Sequence, residues 1–342
     1  MLKVGMIINP DAGKDIRRVT SAAADVTDRY KYNLAYCIAK TLLTFRNIQI
    51  EIMPERFGLG KRLLDSFSNG YATSQISLIS MQLVNSAEDS RNAAEHFIQT
   101  GARLVIVLGG DGTVRIVAKS IATVPIMAIS TGTNNVIPTM IDGTTAGLAA
   151  QFILSNPNIP LEDFCIRHKY IEVWVDDKMV DLALVDVGVI RDDFVGAKAV
   201  WKGDRISQVA VTRSKPFVTG LSSVVGMVRG VEPTDPYGLL MATGEKSASR
   251  FILASLQPGE LQRVGISELQ TLFPDQFYSL SINQNSVISL DGEKEFTVSP
   301  DQHVQIVLRI NGPWIVDVSK VMDIAVKERH FVFKEQNNLE EY

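Results

Sequence analysis

The sequence predicts an α/β protein in which a parallel-sheet domain is followed by a β-rich domain. Up to about residue 155, near-continuous apolar runs alternate with helical patterns, which is typical of a parallel sheet with helices on both faces. After 155-SNPNIP-160, short strands separated by Gly, Pro and Ser replace this pattern. The length of 342 residues also favours two domains. We therefore expect a fold with two parts, an α/β domain and a β-rich domain.

The first domain is predicted over residues 1–158. Apolar runs mark its strands, and apolar side chains at helical spacing mark its helices. Ser86 with Asp89 resembles a capping box, which predicts a helix start there, and Gly101 predicts its end. Strands are expected at 3–9, 48–53, 76–80, 103–108 and 124–130, and helices at 31–46, 59–68, 86–100, 113–121 and 144–154.

The second domain is predicted over residues 159–314 as a β-sandwich or a partly closed barrel. Its strands are expected at 169–175, 178–189, 251–256, 287–292 and 304–310. A helical pattern from Val316 to about Arg329 predicts that a C-terminal segment, 315–342, returns to the first domain.

Composition excludes several classes of function. The net charge is −4 with no basic block, so we expect no nucleic-acid partner. Cys37 and Cys165 lack metal-ligand spacing, and no two histidines are spaced as a zinc pair. An apolar run of about 18 residues and a signal-peptide pattern are both missing, so we expect a cytoplasmic protein without a membrane partner.

The stretch 103-RLVIVLGGDGTVR-115 leads from a predicted strand into a glycine-rich turn. Such a loop at the carboxyl end of a parallel strand can bring backbone N–H groups close to phosphate oxygens. Asp111 would serve as a base or act through magnesium, because a bare carboxylate repels phosphate. The alternative is a plain turn with Asp111 as a helix cap. The motif is neither a Walker A loop nor G-x-G-x-x-G, since position 115 is Arg.

Two further polar loops are predicted at the same edge of the sheet. The loop 130-STGTNNVIP-138 offers hydroxyls and amides that suit a nucleotide or a sugar, or it is a polar turn. The loop 9-NPDAGK-14 is weaker, although Lys14 could reach a phosphate. Because consecutive parallel strands place their loops side by side, these loops favour a binding site over three unrelated turns.

Two acidic residues stand out in the second domain. Asp291-Gly292 is a hairpin pattern, and on local grounds a simple hairpin is the favoured interpretation. Asp186 lies within the apolar stretch 183-ALVDVGV-189, where a carboxylate needs a partner or a metal. Asp186 is therefore a candidate site residue.

Taken in order, these motifs resemble the NAD kinase and diacylglycerol/sphingoid lipid kinase superfamily. The resemblance covers most of the chain, and the G-G-D-G-T block is its most specific mark. Within the superfamily, 9-NPDAGKDIRR-18, 53-MPERFG-58 and 131-TGTNNVIP-138 look most like the AcoX group, an NAD kinase-like branch named for its association with acetoin catabolism. The motifs are Asn9-Pro10, Gly109-Gly110-Asp111-Gly112-Thr113, Gly132-Thr133-Asn134-Asn135 and Asp291-Gly292-Glu293.

The resemblance implies an active site between the two domains and an ATP-dependent kinase. It implies ATP and Mg²⁺ as cofactors, NAD or a related small molecule as the acceptor, and a homo-oligomer. Asp111 would be the general base, Asp291 a second catalytic carboxylate, and Asp186 a substrate contact. Asp291 and Glu293 would also be candidate metal ligands. The implied nucleotide-binding residues are Asn9, Gly109, Gly110, Gly112, Thr113, Gly132, Thr133, Asn134 and Asn135.

The sequence departs from the family pattern at two positions. Val185 stands where NAD kinases carry Asn, and Asn135 stands where lipid kinases carry an acid. These departures keep two alternatives open, a lipid or polyol kinase and a non-catalytic nucleotide sensor.

Overall fold

Five parallel strands form the central sheet of the first domain in a computed structural model, which describes residues 1–14, 26–45, 47–68, 74–121, 123–132, 135–192, 194–195, 202–244 and 248–332. The strands are β1 (Leu2–Ile8), β2 (Ile48–Ile52), β3 (Ile76–Leu78), β4 (Leu104–Gly109) and β5 (Ile126–Ser130). Their order is β3-β2-β1-β4-β5, and the apolar runs predicted all five strands. The order reverses between β1 and β4, and ligands of open α/β sheets bind at such a point.

Helices cover both faces of this sheet. They are α1 (Asp28–Leu43), α2 (Leu59–Asp65), α3 (Ala87–Gln99), α4 (Asp111–Ala118) and α5 (Gly143–Ser155). Alternate side chains of β1 enter the two cores: Met6 packs in the core that includes α1 and α5, and Ile7 in the core that includes α3 and α4. Burial on both faces explains why the strands read as continuous apolar runs.

The start of α3 differs in one detail from the predicted capping box. Ser86 caps the helix by accepting a hydrogen bond from the Glu88 amide at 3.2 Å. The Asp89 carboxylate instead accepts from the amides of Val84 and Asn85, both at 2.8 Å. In a capping box the Asp89 carboxylate would accept from the Ser86 amide. Here it stabilises the loop before the helix instead.

The second domain is a sandwich of two antiparallel sheets. The strands are β7 (Tyr170–Val175), β8 (Lys178–Ala183), β9 (Asp186–Ile190), β10 (Ile206–Val211), β11 (Gly238–Gly244), β12 (Phe251–Gln257), β13 (Glu260–Leu272), β14 (Phe277–Ser279), β15 (Ser286–Leu290), β16 (Glu293–Val298) and β17 (Val304–Arg309). Seven strands are ordered β12-β13-β11-β10-β9-β15-β16 and four are ordered β14-β17-β7-β8. Apolar side chains from both sheets, such as Val173, Val189 and Leu308, share one core, which favours the sandwich over the barrel.

The predicted strand 178–189 is in fact two strands in different sheets. It breaks at Leu184 and Val185, between β8 and β9. The physical reason is an acidic side chain from a distant hairpin, described below, which bonds the backbone amides at the break. The short helix α7 (Leu221–Gly226) also falls in this domain, where the sequence indicated few helices.

The chain crosses between the domains near residues 167–170 and 309–314. Helix α6 (Leu161–Phe164) precedes strand β6 (Cys165–Arg167), and β18 (Trp314–Val316) pairs with both β5 and β6, so both strands extend the first sheet. The final helix, α8 (Val318–Lys327), packs against α5 through Val321 and Ala325. Within the described ranges, every helix is too short or too polar to span a lipid bilayer.

Candidate active site

A cavity of about 350 Å³ lies at the carboxyl ends of β1 and β4, between the two domains. Loops after β1, β2, β4 and β5 line one side, and the start of α7 and the β15–β16 turn line the other. The sequence-predicted residues that line it are Asn9, Gly110, Asp111, Gly112, Thr113, Gly132, Asn135, Asp186, Asp291 and Glu293. Gly109 lies just behind them as the last residue of β4, and Thr133 and Asn134 lie outside the described residues.

The glycine-rich block forms the junction between β4 and α4. A Cβ atom on Gly109 would lie 2.7 Å from the Thr113 side chain, so no side chain fits there without movement. A Cβ on Gly110 would lie 2.9 Å from Oδ1 of Asn135. The two polar loops are therefore packed against each other, and the glycines permit that approach. The arrangement exposes the first turn of α4 to the cavity, where backbone N–H groups favour an anion.

Asp111 is the first residue of α4 and is 7% exposed. One carboxylate oxygen accepts a hydrogen bond from the Val136 amide and the other from the Ile137 amide, both at 2.8 Å. Burial raises the pKa of Asp111 to about 7, the amide of Ile137 opposes the shift, and the charge of Asp291 adds to it. Asp111 thus anchors the loop after β5 and changes its charge near neutral pH.

Asn9 and Thr113 join the first loop to α4. The Asn9 amide group donates to the Thr113 hydroxyl at 2.7 Å, and its oxygen accepts from the Asp11 amide at 2.9 Å. Across the cavity, Asn135 donates to the Ser130 hydroxyl at 2.7 Å. These bonds therefore hold Asn9, Thr113 and Asn135 in place before any ligand binds.

The predicted hairpin at Asp291-Gly292 connects β15 to β16. Both residues have positive φ, 51° for Asp291 and 78° for Gly292, which is the pattern of a type I′ turn. The Asp291 carboxylate accepts from the amides of Val185 at 2.7 Å and Leu184 at 3.2 Å. Asp186 in turn accepts from the Gly292 amide at 3.1 Å. The turn and the β8–β9 break therefore hold each other through reciprocal side-chain and backbone bonds.

Asp186 and Asp291 are both buried, with Asp186 3% exposed and the Asp291 side chain 0% exposed. Burial raises the pKa of Asp186 well above its usual range, and the charges of Asp291 and Asp111 add to this shift. Burial also raises the pKa of Asp291, although Arg115 opposes the rise. Three carboxyl groups therefore interact electrostatically at the floor of the cavity.

Comparison with protein families matches each domain separately. Residues 4–155 match the ATP-NAD kinase N-terminal domain, and residues 169–311 match the Acetoin catabolism protein X C-terminal domain. The family resemblance that the sequence motifs indicated is confirmed. The chain combines an NAD kinase-like first domain with a second domain of the Acetoin catabolism protein X type. The two matches support a kinase-type family and specify no substrate.

The chain is also similar to individual proteins. The chain is 29% identical over 328 residues to Acetoin catabolism protein X of Cupriavidus necator, with 93% of this chain and 91% of that protein covered. Two solved structures described as a diacylglycerol kinase of Bacillus anthracis str. Sterne align with TM-scores of 0.42 and 0.41 and identities of 13% and 11%. Each alignment covers 92% of this chain and 96% of the other.

Within the cavity, the two carboxylates proposed for metal differ in availability. Both oxygens of Asp291 accept backbone hydrogen bonds. Glu293 lines the cavity and approaches Gly112, whose Cβ would lie 3.6 Å from Oε1. Magnesium binds through one or two carboxylates together with substrate phosphates and water, so Glu293 fits better than Asp291. Within the described ranges no group of three or more His, Cys, Asp or Glu is placed to hold a metal.

Sequence reasoning missed three arginines near the site. Arg56, in 53-MPERFG-58, lines the cavity and pairs with Asp11 at 2.5 Å. Arg213 lies near enough to Asp111 to oppose the rise of its pKa. Arg115 was noted only because it breaks the G-x-G-x-x-G pattern. Lys14, the predicted phosphate contact, pairs with Asp28 at 2.7 Å.

Proposed function

We propose that the protein is an ATP-dependent kinase that phosphorylates a hydroxyl of NAD or of a related small molecule. The observation that carries the proposal is the position of Asp111, which lies at the first turn of α4 and faces the second-domain carboxylates across one cavity. Phosphoryl transfer depends on positioning and charge neutralisation rather than on a covalent intermediate, and this arrangement suits both requirements.

The donor phosphates would bind at the glycine-rich start of α4. Backbone N–H groups of the first turn are available to an anion there, and Thr113 keeps its hydroxyl hydrogen while accepting from Asn9. Arg56 at the rim adds positive charge. Magnesium would neutralise phosphate charge when bound, and Glu293 would be its protein ligand.

Asp111 would accept the proton of the acceptor hydroxyl. Each of its oxygens already accepts one backbone hydrogen bond, and a carboxylate oxygen has room for a second. A pKa of about 7 suits a general base at neutral pH, because the base is then partly ionised yet still basic. Asp186 would contact the acceptor from the opposite wall, where burial raises the pKa of its carboxyl.

The test is to incubate the protein with labelled ATP, Mg²⁺ and separate acceptors: NAD, a sphingoid base and diacylglycerol. We expect transfer to NAD or a related soluble compound. Transfer to a lipid alone would overturn the acceptor assignment in favour of a lipid kinase. Asp111→Asn should lower turnover by about 10²–10⁴-fold, the usual size of a general-base effect.

Asp142→Asn is the matched control for that variant. Asp142 also accepts two backbone hydrogen bonds at a helix start, from Thr144 at 2.8 Å and Thr145 at 3.2 Å, but it caps α5 and does not line the cavity. We expect near wild-type turnover from this control. Equal turnover of the two variants would contradict a chemical role for Asp111.

A second candidate function is a non-catalytic nucleotide sensor. It is favoured by the backbone hydrogen bonds that occupy Asp111 and Asp291, since these carboxylates stabilise the fold whether or not they act on a substrate. Calorimetric binding of NAD without turnover of any acceptor would support the sensor. Turnover of one acceptor would exclude it.

We also propose that the protein is a homo-oligomer. Exposed apolar side chains on adjacent strands β12 and β13 support this, with Leu253 53% and Leu261 65% exposed. Light scattering coupled to gel filtration measures the mass, and a monomer at micromolar concentration would contradict the proposal.

A further inference from the structure

A cluster of charged side chains joins α4 to the second domain. Arg115 on α4 is 3% exposed, and its guanidinium lies 2.5 Å from Glu295, 3.4 Å from Asp181 and 3.4 Å from Asp291. One turn later, Lys119 pairs with Asp181 at 2.5 Å. All three carboxylates belong to the second domain, whereas Arg115 belongs to the helix that begins at the glycine-rich block and Lys119 caps the end of that helix. Ionic contacts therefore cross the domain boundary along this helix.

The geometry of the cluster depends on the guanidinium. A planar, always-charged fork reaches several carboxylates in fixed directions, which a lysine ammonium cannot do. Burial alone would lower the pKa of Arg115, but Asp291, Glu295 and Asp181 together outweigh this effect and raise it. In some proteins a buried ion pair selects one relative arrangement of the groups that it joins. The three carboxylates around Arg115 lie in the second domain, so such a selection would here act on the position of α4.

The same cluster connects to both walls of the cavity. Arg115 is four residues after Asp111, and therefore about one helical turn away on the same side of α4. Its partner Asp291 accepts the amides of Val185 and Asp186, and so holds the start of β9. A displacement of Arg115 relative to Asp291 would change the distance between Asp111 and Asp186.

We propose that Arg115 is a positioning residue that locks α4 against the second domain and fixes the separation of Asp111 and Asp186 across the cavity. The catalytic part of this inference rests on the proposed kinase function. The donor phosphates would bind within the first domain, whereas phosphoryl transfer requires the two domains to be correctly positioned relative to each other. Loss of the lock should therefore lower kcat and leave the KM for ATP nearly unchanged.

Arg115→Met and Arg115→Lys test the role of the guanidinium. We expect Arg115→Met to lower kcat about 10–100-fold, since a misplacement of about 1 Å can cost a factor of this size. The KM for ATP should stay within about threefold because the first-domain loops are intact. Arg115→Lys keeps the charge but loses the fork, and it should recover only part of kcat.

Arg309→Met is the matched control. Arg309 also pairs with two carboxylates, Glu172 at 3.0 Å and Asp275 at 2.6 Å, but all three residues lie in the second domain. This variant should keep wild-type kcat while losing an ion cluster that lies within one domain. An equal loss of kcat in the Arg309 and Arg115 variants would overturn the positioning role.

A second measurement does not depend on turnover. Spin labels on Lys61→Cys in α2 and Glu268→Cys in β13, both exposed positions, report the distance between the domains in a Cys37→Ser background. We expect a narrow distance distribution in wild type and in Arg309→Met, and a broadened one in folded Arg115→Met. An unchanged distribution in folded Arg115→Met would overturn the lock.

Measuring both kcat and the spin-label distances distinguishes a failure of the positioning role from a failure of the proposed kinase function. A broadened distribution with wild-type kcat would overturn the link between the lock and the reaction. If the unmodified protein transfers phosphate to no acceptor, the proposed function fails, and the spin-label distances alone then decide whether Arg115 locks the domains.

Discussion

The charge of Asp111 should make activity and stability respond to pH in opposite directions. Burial raises the pKa of this carboxyl to about 7 in the folded protein, against about 3.9 in the unfolded chain. If Asp111 is the base, only its ionised form is active. At pH 6 about one tenth of the molecules would carry that form, and kcat/KM should fall about tenfold per pH unit below 7.

Stability should change with the opposite sign. Between about pH 4 and pH 7 the unfolded chain has released this proton while the folded protein retains it, so the free energy of unfolding falls as pH rises through that window. Three pH units at 1.36 kcal/mol each set an upper bound of about 4 kcal/mol for this group. The raised pKa values of Asp186 and Asp291 add contributions of the same sign.

The assay compares wild type with Asp111→Asn. Steady-state measurements of kcat/KM from pH 5 to 9 show how activity falls at low pH. Urea unfolding from pH 4.5 to 8 shows how the free energy of unfolding changes with pH. In Asp111→Asn we expect the remaining activity to lose its fall below pH 7, and the free energy of unfolding to depend less on pH than in wild type. The reasoning would be refuted if the activity of wild type fell only below about pH 5, if the fall survived the substitution, or if the unfolding free energies of the two proteins depended equally on pH.

Three other substitutions probe separate contacts. Gly109→Ala places a Cβ 2.7 Å from the Thr113 side chain, and we expect a loss of about 1–3 kcal/mol of stability, measured by thermal unfolding, with a raised KM for ATP. Asn9→Ala removes the 2.7 Å bond to Thr113 and should raise the KM for ATP about tenfold with little change in kcat, so an unchanged KM would contradict a phosphate site there. Lys169→Met removes an ammonium that donates to the carbonyls of Glu232, Asp235 and Tyr237 at 3.0, 2.8 and 2.7 Å, and should cost about 3 kcal/mol in urea unfolding. Wild-type stability of that variant would show that water replaces the ammonium.

The strands and the glycine-rich junction were predictable because they depend on local patterns. Burial on both faces makes a strand such as Leu104–Gly109 apolar throughout, and the close contact of Gly109 with Thr113 requires glycine. Asp186 was also predictable, since an acid within an apolar strand needs partners. These features depend on residues that are neighbours in sequence.

The rest of the site depends on distant partners. Arg115 meets Asp181 and Glu295, which are 66 and 180 positions away, and its own sequence neighbourhood gives no indication of them. The break between Ala183 and Asp186 was missed for the same reason. An apolar run continues through it, and only the carboxylate of Asp291 shows why the chain changes sheets there.

The carboxylate of Asp291 also affects the order of folding. Its bond to Leu184 spans 107 positions, so this side of the cavity forms only after two remote hairpin segments meet. Contacts of such long sequence separation form slowly, because a large loop must close first. Because a contact that forms late contributes little to the folding transition state, Asp291→Ala should mainly speed unfolding, and low activity in this variant would report lost stability before it reported chemistry. Unfolding rates need to accompany any kinetic result obtained at this position.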